Sequence, residues 1–552
     1  MDTQNPPHSS SPQASSIDPK SGFCCKTKTF HSIRPAVTLP FLPTAPISIT
    51  SYIFRFLHHS SSSPALLDPT VSLSYRRVIL HSELESRVKS LAYSLHHEFR
   101  LSKGDRAFIL SLNSPEIPIL YLALFAIGVL VSPSNPANTP AEILQQLRLS
   151  KPAVAFTSSD DVHKLPSFLR RRNKTLILLD SPDFYKMMLV ESECGCDFDF
   201  RSFQISQSDT AAILYSSGTT GSFKGVELTH RNIISSIAGS HATRPVRKTP
   251  AVILCALPVF HVYGFMVCLR EVAMGGTVVL TKKYNLESIL RNVDELKVTH
   301  LAAAPPLVVA MAKTGRVATR DYDLRSLEAV FCGGAQLVNS VIQSFWREFP
   351  GVAIAQGYGL TETTAGATRI IGPNESRVLG SVGRLMPGCQ AKIVDPKTPN
   401  GPGLPPLQEG EIWIRGLYVM KGYAGEKEAT DAIIDSDGWL RTGDIGYFDN
   451  EGFLFYVERM KDLIKYKGYQ VAPAELEHLL QSHPDIADAA VIPYPDEDAG
   501  QIPVAFVVRK PGGLINETQI IDFVANQGKY KSCQILVNIM ITTGQLMLKS
   551  SY

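Results

Sequence analysis

The ten residues at 215–224, YSSGTTGSFK, set strict conditions on any fold that contains them. Glycine lets backbone N–H groups crowd around an anion, hydroxyls add neutral donors, and Lys224 adds a mobile positive charge. A polyphosphate tail needs that composition. The flanks fix the topology: "AAILY" before the loop and "GVELT" after it read as short strands, and a helix begins only around His230. The loop is therefore expected at the tip of a strand–loop–strand unit. A Walker A loop has the spacing G-x-x-x-x-G-K-[ST] with a helix directly behind it. Here Gly218 and Gly221 are three apart, Lys224 follows three later, and Gly225 stands in the Ser/Thr slot, so the P-loop NTPase pattern does not fit. In isolation the same run also suits a flexible surface linker.

The rest of the chain supplies an α/β setting. With 552 residues it exceeds one ordinary core, so at least two domains are expected. From about 44 to 200, strand-like runs ("RAFILSL", "LVSPSNP", "PAVAFTS", "TLILLDS") alternate with helical ones such as "ILHSELESRVKSLAYSL", the mark of a mostly parallel sheet. "AVILCALPVFH", "GTVVLT" and "VTHLAAAPP" continue the theme as a second α/β unit, with "LESILRNVDEL" as an intervening helix. Strands dominate from about 375 to 457 and predict a barrel-like module. The apolar run at 117–131 is too short to span a bilayer and reads as a buried helix. The first forty residues, rich in Ser and Pro, read as a disordered or loosely packed leader. A formal charge of +3 argues against nucleic acid or a membrane surface as partner. Nine scattered cysteines without paired C-x-x-C units argue against a zinc site and fit a reducing compartment.

The stretch "YSSGTTGSFKGVELTH" resembles the phosphate-binding signature of the adenylate-forming acid–CoA ligases, in particular the plant 4-coumarate–CoA ligases and their 4-coumarate–CoA ligase-like relatives. The resemblance implies a large N-terminal domain of two α/β subdomains and a small β-barrel, followed by a small mobile α+β domain. The expected division is a leader at 1–43, an adenylation domain at 44–460, a mobile domain at 461–527 and a divergent tail at 528–552. It also implies ATP, Mg²⁺ and coenzyme A as cofactors and a small carboxylic acid as substrate. Ser216, Ser217, Gly218, Thr219, Thr220, Gly221 and Lys224 would cradle the β- and γ-phosphates. In "QGYGLTE" at 356–362, Tyr358 would lie against adenine, Gln356 and Gly357 would be further cofactor contacts, Thr361 would contact the α-phosphate and Glu362 would hold the metal. Asp444 in "GWLRTGDIG" would bind the ribose diol, and Arg459 and Lys461 would reach the nucleotide. His261 in "LPVFHVYGF" would act at the acyl pocket, lined by Tyr263 and by the small residues Gly333, Gly334 and Ala335 of "FCGGAQ". In "IKYKGYQVAPAELE", Lys465 and Gln470 would meet the adenylate while Lys467 and Gly468 would face coenzyme A, with Lys283 a further coenzyme A contact.

Two departures qualify the resemblance. Relatives end in a Pro-x-Ser-x-x-Gly-Lys-Ile/Val-Leu-type segment whose lysine serves adenylation, and this chain departs from it after about residue 527. Lys529 and Lys549 lack the right surroundings, so slow adenylation with surviving nucleotide binding is expected. The "TTAGATRIIGP" that follows Glu362 differs from the "AGPV" continuation of hydroxycinnamate ligases, which opens fatty or jasmonate-precursor acids beside 4-coumarate. The final Ser-Ser-Tyr is not a peroxisomal tripeptide, so the cytosol is expected.

Overall fold

A computed structural model describes residues 16–57, 61–69, 77–170, 175–189, 198–199, 202–217, 223–282, 285–399, 401–466, 469–496, 500–510, 512–525 and 536–540. The described residues form two compact units: one from within Pro35–Met386 and Gly416–Gly438, the other from within Met1–Arg34, Pro387–Arg415 and Trp439–Gln545.

The larger unit holds two sheets. One has seven strands, ordered Gly422–Tyr423, Phe223–Thr229, Thr210–Ser217, Leu130–Ser134, Arg106–Leu110, Val154–Thr157 and Leu176–Leu178. It is parallel from Thr210–Ser217 outward to Leu176–Leu178 and antiparallel on the other side. The nine-stranded second sheet has Val252–Cys255 in parallel with Thr277–Leu280 and His300–Ala303, and then Ala329–Cys332 and Ala353–Tyr358 in parallel beyond. One apolar cluster joins residues from both sheets (Ile109, Val131 and Ala212; Leu66, Ile253 and Val278) through the helices between them. The helix Glu116–Ala126 is apolar on every side and every residue of it is buried there.

The run at 117–131 does not stay helical to its end. The helix stops at Ala126, Gly128 adopts φ +73°, and the chain re-emerges as the strand Leu130–Ser134. A positive φ is inexpensive only for glycine, so Gly128 marks the switch.

In the smaller unit a six-stranded antiparallel sheet runs Phe23–Cys24, Thr29–His31, Gln390–Val394, Gly410–Arg415, Leu440–Phe448 and Leu454–Arg459. Its first two strands come from the stretch expected to be a loose leader. Phe30 is fully buried, stacked on Phe448 with ring centroids 4.3 Å apart, and its strand pairs with Gln390–Val394. Aromatic burial is what ties this segment down; residues 1–15 lie outside the described residues. A second sheet contains the hairpin Ile464–Tyr466/Tyr469–Val471 and the strands Ile486–Asp496 and Gly500–Arg509, covered by the helices Pro473–Gln481 and Glu517–Ala525. The strand Leu536–Met540 pairs in parallel with Gly500–Arg509, so the divergent tail supplies a strand to this sheet.

Candidate active site

The two strands expected to flank the 215–224 loop are present. Thr210–Ser217 and Phe223–Thr229 pair antiparallel with Ser216 opposite Lys224 and Tyr215 opposite Gly225, and the helix begins at His230. A capping box closes that helix: Thr229 Oγ1 accepts the Asn232 N–H, and Asn232 Oδ1 accepts the Thr229 N–H. Gly225 is explained by packing. A Cβ there would stand 3.0 Å from Ile213 Cγ2 and 3.3 Å from Ala424 Cβ. Tyr215 anchors the strand from below, its hydroxyl 2.6 Å from Ser132 Oγ and donating to the Gln146 carbonyl at 3.0 Å. Gly218, Thr219, Thr220 and Gly221 lie outside the described residues, as does the side chain of Ser217.

At the base of the finger Glu362 is held from two directions. Ser216 Oγ donates to Glu362 Oε1 at 3.2 Å and the Tyr423 hydroxyl donates to the same oxygen at 2.9 Å. Lys224 Nζ sits 4.5 Å from the centroid of the Tyr423 ring, a cation–π contact. Burial and the adjoining carboxylate together push the Tyr423 phenol well above its usual range, so it stays a donor. The segment carrying Tyr423 is fixed by Asn232 Nδ2, which donates to the carbonyls of Leu417 and Val419, and by the Met420 N–H on the Glu362 carbonyl. Glu362 Oε2 has no protein partner among the described residues, and no cluster of three or more potential metal ligands occurs among them. A Mg²⁺ ion at Glu362 fits that donor set, because Mg²⁺ is ordinarily bound through one or two carboxylates plus phosphate and water.

The turn that presents Glu362 is tightly wound. After the strand Ala353–Tyr358, a 3₁₀ turn spans Thr361–Thr363, and Thr364 and Ala365 follow with φ of 53° and 64°. A Cβ on Gly359 would meet Gly366 N at 2.6 Å, so only glycine lets the two arms of the turn close. Thr361 and Tyr358 are buried. The Gln356 amide accepts the Leu337 N–H at 3.1 Å and donates to the Ser381 carbonyl at 3.4 Å, which engages it within the protein. Gly357 packs against the Thr368 carbonyl, 3.0 Å from where its Cβ would stand.

His261 caps the helix Val262–Ala273, its Nδ1 accepting the Tyr263 N–H at 3.4 Å. The ring edge reaches solvent, yet the protein around it withdraws enough water to lower its pKa. Gly264 permits the sharp entry to the helix, since a Cβ would lie 2.2 Å from the Pro258 carbonyl oxygen. Across from it, a Cβ on Gly333 would sit 3.0 Å from the Tyr263 ring. Gly334, with φ +88°, and Ala335 are exposed beyond it. Tyr263, Gly333, Ser216, Lys224, Thr361, Glu362 and Tyr423 thus belong to one unit.

The smaller unit carries the other candidates. Asp444 follows Gly443, which has φ +71°, and its buried carboxylate meets Arg459 Nε at 3.2 Å across paired strands. Glu458 next door accepts the N–H groups of Arg459 and Ala474, linking the strand to the helix Pro473–Gln481. Lys461 and Lys465 are exposed, and the backbone of Lys465 pairs with that of Gln470. Lys467, Gly468 and Lys283 lie outside the described residues, as does the Gln470 side chain.

The model of the AMP-binding enzyme family matches residues 55–424, and that of the AMP-binding enzyme C-terminal domain matches 475–540. The chain belongs to the AMP-binding enzyme family. Within this family it is similar to 4-coumarate–CoA ligase-like 9 of Arabidopsis thaliana, at 47% identity over 93% of this chain and 91% of that one. Peroxisomal OPC-8:0-CoA ligase 1 of the same plant is 38% identical over 93% and 92%. Among solved structures of the family's fold, o-succinylbenzoate CoA synthetase of Bacillus subtilis, with its acyl-adenylate intermediate, has a TM-score of 0.72 at 27% identity, covering 90% of this chain and 95% of that one. MatB of Rhodopseudomonas palustris, bound to ATP, has a TM-score of 0.77 at 27% identity over 89% and 94%. The C-terminal match runs past residue 527, where the resemblance was expected to stop, and takes in the strand Leu536–Met540. Tyr423 escaped the sequence reading. It sits in "KGYAG", a run with no carboxylate or histidine to mark it, and only the packing of that run on Phe223–Thr229 brings its hydroxyl to Glu362.

Proposed function

We propose that this chain, an acid–CoA ligase by family, activates an organic acid in two displacements. A carboxylate oxygen attacks the α-phosphorus of ATP and pyrophosphate leaves; the sulfur of coenzyme A then attacks the acyl carbon, AMP leaves, and the thiol proton passes to water. The observation that carries this reading is the Glu362 carboxylate, held by Ser216 and Tyr423 through one oxygen and open at the other, beside Lys224. Preorganised charge of this kind is what phosphoryl chemistry between two anions needs. Glu362 would hold Mg²⁺, which supplies charge neutralisation for the phosphates when bound. Ser216, Ser217, Gly218, Thr219, Thr220, Gly221 and Lys224 would enclose the phosphates, Tyr358 and Thr361 the nucleoside and α-phosphate, and Asp444 and Arg459 the ribose side. His261, Tyr263, Gly333, Gly334 and Ala335 would receive the acid, and Lys465, Lys467, Gly468, Gln470 and Lys283 would serve the adenylate and coenzyme A.

The continuation "TTAGATRIIGP" supports a fatty or jasmonate-precursor acid over 4-coumarate, and one relative is named for OPC-8:0. A cytosolic site of action is our reading, with the peroxisome as alternative. A second reading, a nucleotide or acyl-adenylate binder with little turnover, is favoured by one observation: the tail lacks the family's lysine step. Titration calorimetry with Mg·ATP, followed by a hydroxamate trap over a panel of acids, separates these readings. Heat with trapped hydroxamate supports the ligase, heat without hydroxamate supports the binder, and no heat overturns both.

A further inference from the structure

The helix that starts at His261 carries a cation the chemistry above does not use. Arg270 is buried, at 9% exposure, on the same helix face as Tyr263 one heptad earlier. Its Nη2 donates to Ser236 Oγ at 2.6 Å, and its Nε is buried with no acceptor. Among the described residues no carboxylate lies within ion-pair range of it. Burial and the neighbouring Arg369 lower its pKa to about 10, so it remains charged at neutral pH. A buried guanidinium without a carboxylate is expensive, and proteins retain one where something else supplies the acceptor.

Tyr263, which we propose receives the acid, shares its helix with that cation. Gly366 has no side chain where a Cβ would stand 3.5 Å from Arg270 Nη2, and Gly333 has none where a Cβ would meet the Tyr263 ring. Gly333 thus packs on the Tyr263 side chain and Gly366 beside the Arg270 guanidinium, at two points along one helix. Seven helical residues advance about 10 Å, and an extended carbon chain advances roughly 1.25 Å per carbon. An acid of about eight carbons would place its far end near the guanidinium.

We propose that Arg270 forms a subsite for a hydrogen-bond acceptor at the distal end of the acid, a second carboxylate or a carbonyl oxygen. This deepens the ligase reading and rests on it. The buried Nε, which has no acceptor, suits an incoming oxygen, and Ser236 keeps the guanidinium from turning away. The glycine at 366 leaves room for the acceptor to approach.

The test uses non-reacting acyl-sulfamoyl adenosines, so it does not depend on turnover. The full chain is titrated with three eight-carbon analogues: plain octanoyl, ω-oxo and ω-carboxy. At least one polar-tipped analogue should bind roughly 10–100-fold more tightly than the octanoyl one, the range of a charge-assisted hydrogen bond. Arg270→Met should abolish the preference while leaving octanoyl binding within about threefold, and Arg270→Lys should keep part of it. Equal affinity of all three analogues for the wild-type chain overturns the subsite and leaves the ligase reading intact, and needs no variant to fold. A preference that survives Arg270→Met overturns it as well. Failure of every analogue to bind counts against both the subsite and the ligase reading, and plain octanoyl binding tells the two apart.

Discussion

Glu362 shares one oxygen between two hydroxyl donors, and that sharing makes Tyr423 a positioning residue. Tyr423→Phe removes one donor while keeping the ring under Lys224. A hydrogen bond to a charged group contributes about 1.5–3 kcal/mol. Single-turnover hydroxamate formation should therefore slow by about 10- to 100-fold, with the KM for the acid changed little; an unchanged rate would remove Tyr423 from the site. Gly333→Val should act on the other variable. Its side chain would enter space held by the Tyr263 ring, so KM should rise more for wide acids than for straight chains, and a uniform loss would speak against a wall role. His230 carries the clearest pH dependence. It is buried, accepts the Ile49 N–H through Nδ1, and burial depresses its pKa from 6.5 to about 3, with Asp209 and Lys103 opposing each other nearby. The unfolded chain therefore takes up a proton below pH 6.5 that the folded chain refuses. Stability is full above that value and falls as pH drops toward 3, by about 2 kcal/mol between pH 6.5 and 5. Denaturant midpoints at those two pH values should show a larger drop for the wild type than for His230→Asn; equal drops would place the linkage elsewhere. At this scale sequence reads residues with unusual chemistry inside a motif, such as Glu362. It does not read Tyr423 or Arg270, whose roles come from what packs beside them.

Elements were legible in proportion to their periodicity. "AAILY" and "GVELT" formed the expected antiparallel pair, and "LESILRNVDEL" became the helix Leu286–Leu296 with Asn285 as its cap. The run at 117–131 failed because an apolar stretch carries no period, and only Gly128 separates its helix from its strand. Phe23–Cys24 and Thr29–His31 are too short to show alternation at all. They fold because Phe30 and Phe448 stack. Phe30→Ala leaves a cavity in a fully buried position and should cost about 3–5 kcal/mol. Limited proteolysis should then release the segment before Arg34 far faster than in the wild type. Equal cleavage rates would mean that the backbone pairing with Gln390–Val394 holds these strands without the ring.

At the scale of the whole molecule the question is whether this chain runs both half-reactions or only the second. In the smaller unit Leu536–Met540 pairs in parallel with Gly500–Arg509, and the match to the family's C-terminal domain extends to residue 540. Just beyond that strand the sequence reads Gly544-Gln545-Leu546, where a lysine at 545 would create the Gly-Lys-aliphatic step that the resemblance implies and this chain lacks. Residues 541–552 lie outside the described residues. Glutamine can donate a hydrogen bond but brings no charge to an α-phosphate that is gaining it, and loss of one aimed donor at developing charge costs about 3–4 kcal/mol, or roughly 10²–10³ in rate. Gln545→Lys should therefore raise pyrophosphate release with acid and Mg·ATP by about 10²–10³, while Mg·ATP affinity moves little, because the phosphate finger and Glu362 belong to the other unit. Thioester formation from a preformed acyl-adenylate supplies the internal control, since that step does not require the lysine and should proceed alike in both proteins. If pyrophosphate release is the same with glutamine and with lysine, the tail is not the limit on adenylation. If the thioester step changes as well, the substitution has acted on the fold of the domain instead of on charge at the α-phosphate.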